Sequence, residues 1–469
     1  MSATAETFQT DSARYGANRD QRVFLRRALG GYYVKRDENK SKFQDWGAAR
    51  RHAAAVKSEA IDHLDTHLEQ FIEKCEAHGT KIFVAANARR ACDYIVSVVK
   101  AKQARSIIKS KSMTGEEIHL AQALEKEGFE VVESDLGEYI VQLRGEAPFH
   151  IVFPAMHLKR GEISRLFQEK LGTAPTDSPE ELTMIARHVM RQKYVEAEVG
   201  ISGVNFAVAE TGTIAMCTNE GNGRLTTSLP PTHIAIMGIE KLIPRMEDLA
   251  LLLPMLATAG SGQQLTCYNN LISGPRKEGE SDGPEEFHLI ILDNNRTRLL
   301  ADGEQRDTLN CIRCGACINV CPIFKNIGGH AYNTTYMGPI GSVLTPHLRG
   351  LQSWKHLSSA SSLCGACTDA CPVGIDLHHH LLQNRRNGVM GGAVWWERLL
   401  FLGFGWISTR PALFHLAGKI GRTVQRLAAP LMGSALDPAR NWTATRTLPE
   451  PPPYSFQEYW QDRQTKKHD

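Results

Sequence analysis

Eleven cysteines are spread over 469 residues, and seven of them fall in two short blocks. Residues 311–322 read Cys-Ile-Arg-Cys-Gly-Ala-Cys-Ile-Asn-Val-Cys-Pro, the Cys-x2-Cys-x2-Cys-x3-Cys-Pro run of a bacterial-type iron–sulfur ligand loop. Three thiolates spaced by two residues wrap one cubane, and the fourth, ahead of a proline, is carried toward a different cluster. A second block answers it: Cys364-Gly-Ala-Cys367-Thr-Asp-Ala-Cys371-Pro372. Under the crossed arrangement of two-cluster ferredoxins, cluster one takes Cys311, Cys314, Cys317 and Cys371, and cluster two takes Cys321, Cys364 and Cys367. The second set is one thiolate short, because Ser361 stands three residues before Cys364 where a full copy would have cysteine. The fourth position is open to Ser361, to water or substrate, to a partner's side chain, or to nothing in a three-iron cluster. Two [4Fe–4S] clusters, the second with a non-cysteine fourth site, are the favoured reading. Structural zinc also uses paired Cys-x2-Cys units, but it wants ligands in two pairs, not groups of four and three that both end in Cys-Pro.

The elements that must position these loops follow from the texture of the chain. Forty-two residues separate Cys321 from Cys364, room for a helix, so residues 298–390 are expected to form a mainly helical two-cluster, ferredoxin-like domain. Upstream, residues 61–297 alternate helical and extended patterns. Short apolar runs recur at 81–85, 106–108, 129–132, 150–153, 233–237 and 287–292. Thr114-x-x-Glu117 reads as a capping box opening a helix with Ile118, Ala121 and Leu124, stopped by Gly128. Leu182, Ile185, Ala186 and Val189 mark a second helix. Strands alternating with helices predict an α/β domain with a parallel sheet covered on both faces. Residues 1–60 read as an N-terminal helical arm, and 391–469 as an amphipathic segment followed by a polar, extended tail.

Charge and hydropathy exclude several classes. Fifty-four basic residues against 51 acidic ones are too balanced for a nucleic-acid binder. The start, Met1-Ser-Ala-Thr-Ala-Glu, carries no signal-peptide pattern. No apolar run approaches the roughly 18–20 residues of a transmembrane helix, and a cytoplasmic protein is expected. The segment from Val394 to Met432 mixes Trp395, Trp396, Phe401 and Trp406 with Arg398, Arg410 and Arg426. It could rest on a membrane surface, but packing on the chain's own core or docking a partner is favoured. Cys75, Cys92, Cys217 and Cys267 stand singly and read as ordinary thiols.

Three stretches of the α/β region look more purposeful than core. Lys109-Ser-Lys-Ser112 follows a predicted strand, where α/β sheets bind ligands. Gly200-Ile-Ser-Gly-Val-Asn205 reads as a glycine-rich turn before a strand, and Ala209-Glu-Thr-Gly-Thr213 sets Glu210 at a glycine bend. Each also reads as a solvated turn. No phosphate-binding glycine motif supports a nicotinamide or ATP site.

These stretches, together with Asp135-Leu-Gly-Glu-Tyr139, Gly338-Pro-Ile-Gly341 and both cysteine blocks, closely resemble the lactate utilization protein B family from about residue 60 to 390. The resemblance implies a lactate-utilisation domain similar in fold to CoA transferases and sugar-phosphate isomerases. It carries the family's seven cluster cysteines onto Cys311, Cys314, Cys317 and Cys371, then Cys321, Cys364 and Cys367. It also implies electron transport in the oxidation of L-lactate to pyruvate, beside a second iron–sulfur subunit and a smaller lactate-utilisation-domain subunit. Residues 391–469 add nothing to this match. Two other readings stay open: a subunit that itself oxidises the hydroxy acid near Lys109, Lys111, Glu210 and Thr213, and a redox or iron sensor.

Overall fold

The computed structural model describes residues 3–392, 395–434, 437, 440–443 and 446–466; Met1, Ser2 and Val394, which entered the reading above, lie outside them. Six strands, β1 (Lys81–Ala85), β2 (Ser106–Lys109), β3 (Glu130–Glu133), β4 (Val199–Gly203), β7 (Thr232–Gly238) and β10 (Glu286–Leu292), form one sheet in the order β1-β10-β7-β4-β2-β3. Every pairing in it is parallel. The central strands are apolar on both faces because both faces are covered. Ile234, Ile236, Ile290 and Leu292 meet Ile95, Val99, Leu120 and Leu124 on one side. The alternate residues Ala235, Met237, Leu289 and Ile291 meet Leu64, Phe71 and Cys75 on the other. A second, mixed sheet runs β8-β5-β6-β9, built from β5 (Phe206–Val208), β6 (Thr213–Thr218), β8 (Leu242–Ile243) and β9 (Tyr268–Ile272).

Three local expectations are corrected. The run 150–153 is a loop, wrapped around the buried His150, whose Nδ1 accepts the amides of Val152 and Phe153 at 3.0 and 3.2 Å. Gly200–Gly203 is not a turn but lies inside β4, paired on both edges. Thr114 caps nothing: Ser112 accepts the Gly115 amide at 3.0 Å, and the helix breaks at His119, where φ is +54°. Glu117 is freed from capping because Arg296 claims its carboxylate. The helix expected from Leu182, Ile185, Ala186 and Val189 spans Pro179–Glu196.

Residues 3–62 are mainly helical, over Ala3–Ala17, Arg19–Lys40 and Trp46–Asp62. Leu25, Leu29, Ala53 and Val56 share one core with Phe206, Leu252, Cys314, Cys317, Ile340 and Leu381. Burying each of those leucines stabilises the packing by about 1.5–3 kcal/mol. Residues 1–388 accordingly form one compact unit, with 389–469 as a second. In that second unit the helices Trp395–Ser408 and Pro411–Ala428 bury no residue fully. Its end is not wholly extended: Ser455 and Glu458 form a capping box that opens a helix over Phe456–Thr465. Among the described residues no helix is long and apolar enough to cross a membrane.

Candidate iron–sulfur and ligand site

The two cysteine blocks repeat one backbone conformation. Gly315 and Gly365 sit at φ +79° and +80° and open the short helices Ala316–Val320 and Ala366–Ala370. A left-handed residue at that point turns the chain so that successive thiols face inward, which explains Cys-Gly-Ala-Cys in both blocks. Arg313 and Leu363, just before them, are left-handed without glycine's freedom, at φ +61° and +54°. The strain at Arg313, about 1–2 kcal/mol, is offset by its contacts. Arg313 Nη2 donates to Glu240 at 3.0 Å, and its guanidinium lies over the Tyr336 ring at 4.9 Å.

Five of the seven thiols are buried, Cys311 is half-buried and Cys364 is exposed. Burial, then the nearby Cys311 thiolate, pushes the Cys371 thiol up to about 11; burial, then Cys321, does the same to Cys367. Cys314 and Cys317 are raised further, by burial first and then by Cys311. Such thiols stay protonated until a metal takes them. Among the described residues no three of the seven thiols converge within 4.8 Å. Amides of Arg313 and Ile375 point at Cys311 and Cys371 sulfurs at 3.4 Å each. Arg50, on the helix Trp46–Asp62, clamps the second block by donating to the carbonyls of Cys371 and Thr368 at 2.7 and 2.8 Å.

Cys321, Cys364 and Cys367 line a small cleft with Ser361 and His378. Ser361 Oγ accepts the Leu363 amide at 3.1 Å. His378 Nδ1 is engaged by Thr368 at 2.8 Å and Asp376 at 2.9 Å, which leaves Nε2 as a second candidate donor that sequence reasoning missed.

A cavity of about 330 Å³ separates the Arg313–Cys314 loop from the carboxyl ends of β2 and β4, and Ser110, Lys111 and Asn205 line it. The helix Leu249–Ser261 closes one wall at Gly260, where an added Cβ would lie 2.5 Å from the Cys314 carbonyl. Lys111 Nζ donates to the Val152 carbonyl at 2.6 Å. Lys241 also lines this space; burial, then Arg313, pulls its ammonium down to about 8. On the same walls, burial and then Asp135 raise the Glu220 carboxyl to about 7. Behind the cavity, Arg296 bridges Glu117 at 2.7 Å and Glu240 at 2.6 Å, tying the sheet to the cysteine loop. A larger cavity, about 610 Å³, is lined by Glu116, Glu133, Glu138 and His330 and by none of the seven cysteines.

The lysine–serine turn is thus divided. Lys109 is fully buried, with its ammonium 2.8 Å from Glu133 and 3.1 Å from Glu116, and is not available to a ligand. Of Lys109, Lys111, Glu210 and Thr213, only Lys111 reaches the cavity, beside Ser110 and Ser112 of the same turn and Gly203 to Asn205 of the glycine-rich stretch. Glu210 is exposed and accepts the Met246 amide at 2.9 Å, and the buried Thr213 lies 3.0 Å from Ser273. Neither lines the cavity.

Residues 68–292 match the LUD domain family, and 307–375 match the 4Fe-4S dicluster domain. Lactate utilization protein B of Bacillus velezensis (strain DSM 23117 / BGSC 10A6 / LMG 26770 / FZB42) is 43% identical over 95% of both chains. The chain belongs to the lactate utilization protein B family. The protein of that name from Oceanobacillus iheyensis (strain DSM 14371 / CIP 107618 / JCM 11309 / KCTC 3954 / HTE831) is 44% identical, covering 91% of this chain and 89% of its own. That from Bacillus subtilis (strain 168) is 42% identical over 95% and 94%. The family's C-terminal domain matches residues 382–465, which corrects the expectation that 391–469 add nothing. Iron–sulfur ligation is the chemistry this family's dicluster domain brings.

Proposed function

We propose that this chain is an iron–sulfur electron-transfer subunit in the oxidation of L-lactate to pyruvate, which allows lactate to serve as a carbon source. The observation that carries the reading is the joining of the LUD and dicluster domains in one packed unit, with a cavity of the α/β domain against the Cys314 loop. Cys311, Cys314, Cys317 and Cys371 would hold one cluster, and Cys321, Cys364 and Cys367 the other, with Ser361 or His378 beside its fourth corner. Bound clusters exchange single electrons over a wide range of potentials. The chain's own residues bury the thiols, aim amides at Cys311 and Cys371, and set the Arg313 cation beside the first loop. The partners are a second iron–sulfur subunit and a smaller LUD-domain subunit.

A second reading, in which this subunit itself binds and oxidises the hydroxy acid in its α/β domain, draws on the same cavity. Lactate-dependent dye reduction by the purified chain, alone and with both partners, separates the two. Reduction only with the partners is expected. Reduction by the chain alone would transfer the chemistry to this subunit, and none in either case would refute both.

A further inference from the structure

One group of metal-ligating side chains outside the cysteine blocks has no part in the function proposed above. Glu146 and His157 lie on the loop after the helix Leu136–Arg144 of the α/β domain, and His330 lies nine residues beyond Cys321 in the dicluster domain. One donor atom from each falls within 4.8 Å of the other two. The glycine pair Gly328-Gly329 permits the meeting: a Cβ at Gly329 would lie 1.7 Å from the Phe149 carbonyl, so a side chain there would push the His330 segment away. Phe149 in turn packs both imidazoles, stacked on His157 with ring centres 4.6 Å apart and edge-on to His330 at 5.1 Å.

The three groups are placed as a ligand set. Arg144 donates to Glu146 Oε1 at 2.9 and 2.7 Å and leaves Oε2 to His157 Nε2, 3.0 Å away. Neighbouring donors around a tetrahedral zinc stand roughly 3.3–3.6 Å apart, so a shift of a few tenths of an ångström seats an ion between these two. A turn of the half-buried His330 ring brings the third donor. Burial pulls His157 down to about 4, so the ring is neutral at pH 7, and its Nδ1 is buried with no hydrogen-bond partner among the described residues. Either nitrogen can therefore take a metal while the other holds the proton. The Ala147 carbonyl accepts from His330 Nε2 at 2.8 Å, the kind of backbone contact that orients a ligating histidine. Glu146 and His330 also line the 610 Å³ cavity, which gives a bound ion access to water. Three other carboxylates of that cavity, Glu116, Glu133 and Glu138, already surround the Lys109 ammonium.

We propose that Glu146, His157 and His330 bind one divalent transition-metal ion of the zinc class, separate from the iron–sulfur clusters, with water from the cavity as its further ligand. Two imidazoles and one carboxylate suit such an ion and leave a position open. The ion ties the 146–157 loop of the α/β domain to the segment that follows Cys321, so its role is to fasten the two domains together. The competing role is a metal-free ion pair, in which His157 only packs beside the Arg144–Glu146 bridge.

Equilibrium dialysis of the full chain, purified anaerobically with its iron, against zinc sulfate tests the site, with zinc and iron per chain counted by mass spectrometry. The wild-type chain should hold one zinc with its iron content unchanged, and zinc should raise its melting temperature. His157→Ala should weaken zinc binding by more than about a hundredfold, beyond the tenfold to hundredfold that follows loss of an orienting partner alone. Glu146→Gln, at a half-buried position, keeps the shape of the side chain and should also lose the zinc, which guards against misfolding of the first variant. Glu116→Gln should leave zinc binding as it is. No zinc on the wild-type chain, zinc that enters only as iron leaves, or zinc kept by both His157→Ala and Glu146→Gln would each overturn the proposal. Loss of zinc from Glu116→Gln with retention by His157→Ala would move the cation to the carboxylate cluster and overturn it as well.

Discussion

Replacing Arg296 by methionine should unfold the junction between the sheet and the cysteine loop more readily than any surface change. Arg296 is 1% exposed and gives Nη1 and Nη2 to Glu117 at 2.9 and 2.7 Å and Nε to Glu240 at 2.6 Å. Methionine matches its stem but leaves two buried carboxylates facing one another, with only Arg313, Tyr336 and Asn294 left to answer them. Removing one partner of a buried ion pair costs about 3–5 kcal/mol. With about 2.1 cal/mol/K of unfolding entropy per residue over Met1–Gly388, that loss corresponds to a fall in melting temperature of about 4–6 °C. Differential scanning calorimetry on anaerobic protein measures it. Arg296→Met combined with Glu117→Gln should recover part of the loss, because one orphaned charge is gone. The exposed Arg386–Glu304 pair is the control, and Arg386→Met should move the transition by less than about 1 °C. An Arg296→Met protein that melts within about 1 °C of wild type would refute the claim that this network holds the loop to the sheet.

Three further outcomes follow from the site. Glu220 titrates near 7 when folded and near its ordinary 4.5 when unfolded, so the native state holds the extra proton between these values. Stability should therefore fall as pH rises from about 4.5 to 7, and Glu220→Gln should remove that component from the pH dependence of the unfolding midpoint. Cys314→Ser and Cys367→Ser should each abolish one of two electron paramagnetic resonance signals; a variant that loses both while staying folded would contradict the division of the seven thiols. At the three-thiol corner, Ser361→Cys should slow oxidative iron loss if Ser361 borders the open iron, whereas His378→Ala should speed it if Nε2 does. Iron release followed with a chelator decides between them, and no change in either variant would place the fourth ligand outside this chain.

The cysteine blocks were the most legible part of the chain because ligand spacing is local: a loop of twelve residues writes its cofactor into consecutive letters. The parallel sheet was legible for a similar reason, since β1, β2, β3, β7 and β10 each coincide with a short run rich in apolar residues, and the central β7 and β10 are buried on two faces. The errors fall where a distant residue decides. Glu117 reads as a helix-capping carboxylate until Arg296, 179 residues away, takes it. The run 150–153 carries strand-like residues but folds around His150, whose Nε2 meets Asn319 at 2.9 Å. Lys109 sits at the correct sheet edge for a ligand, yet three carboxylates of the same domain surround it. The other cations that reach the cavity beside Lys111, namely Lys241 and Arg313, carry no motif of their own. Arg313 lies inside the cysteine loop as an apparent spacer, and only the fold brings it to Glu240 and Tyr336.

The central claim is that electrons from lactate pass through this chain's clusters. Rapid-freeze electron paramagnetic resonance of the chain mixed anaerobically with its two partners and L-lactate tests it most directly. Both cluster signals should change within a single turnover, and the Cys314→Ser chain should block electron delivery to the acceptor. Lactate turnover at the wild-type rate with both cluster signals unchanged would contradict the account.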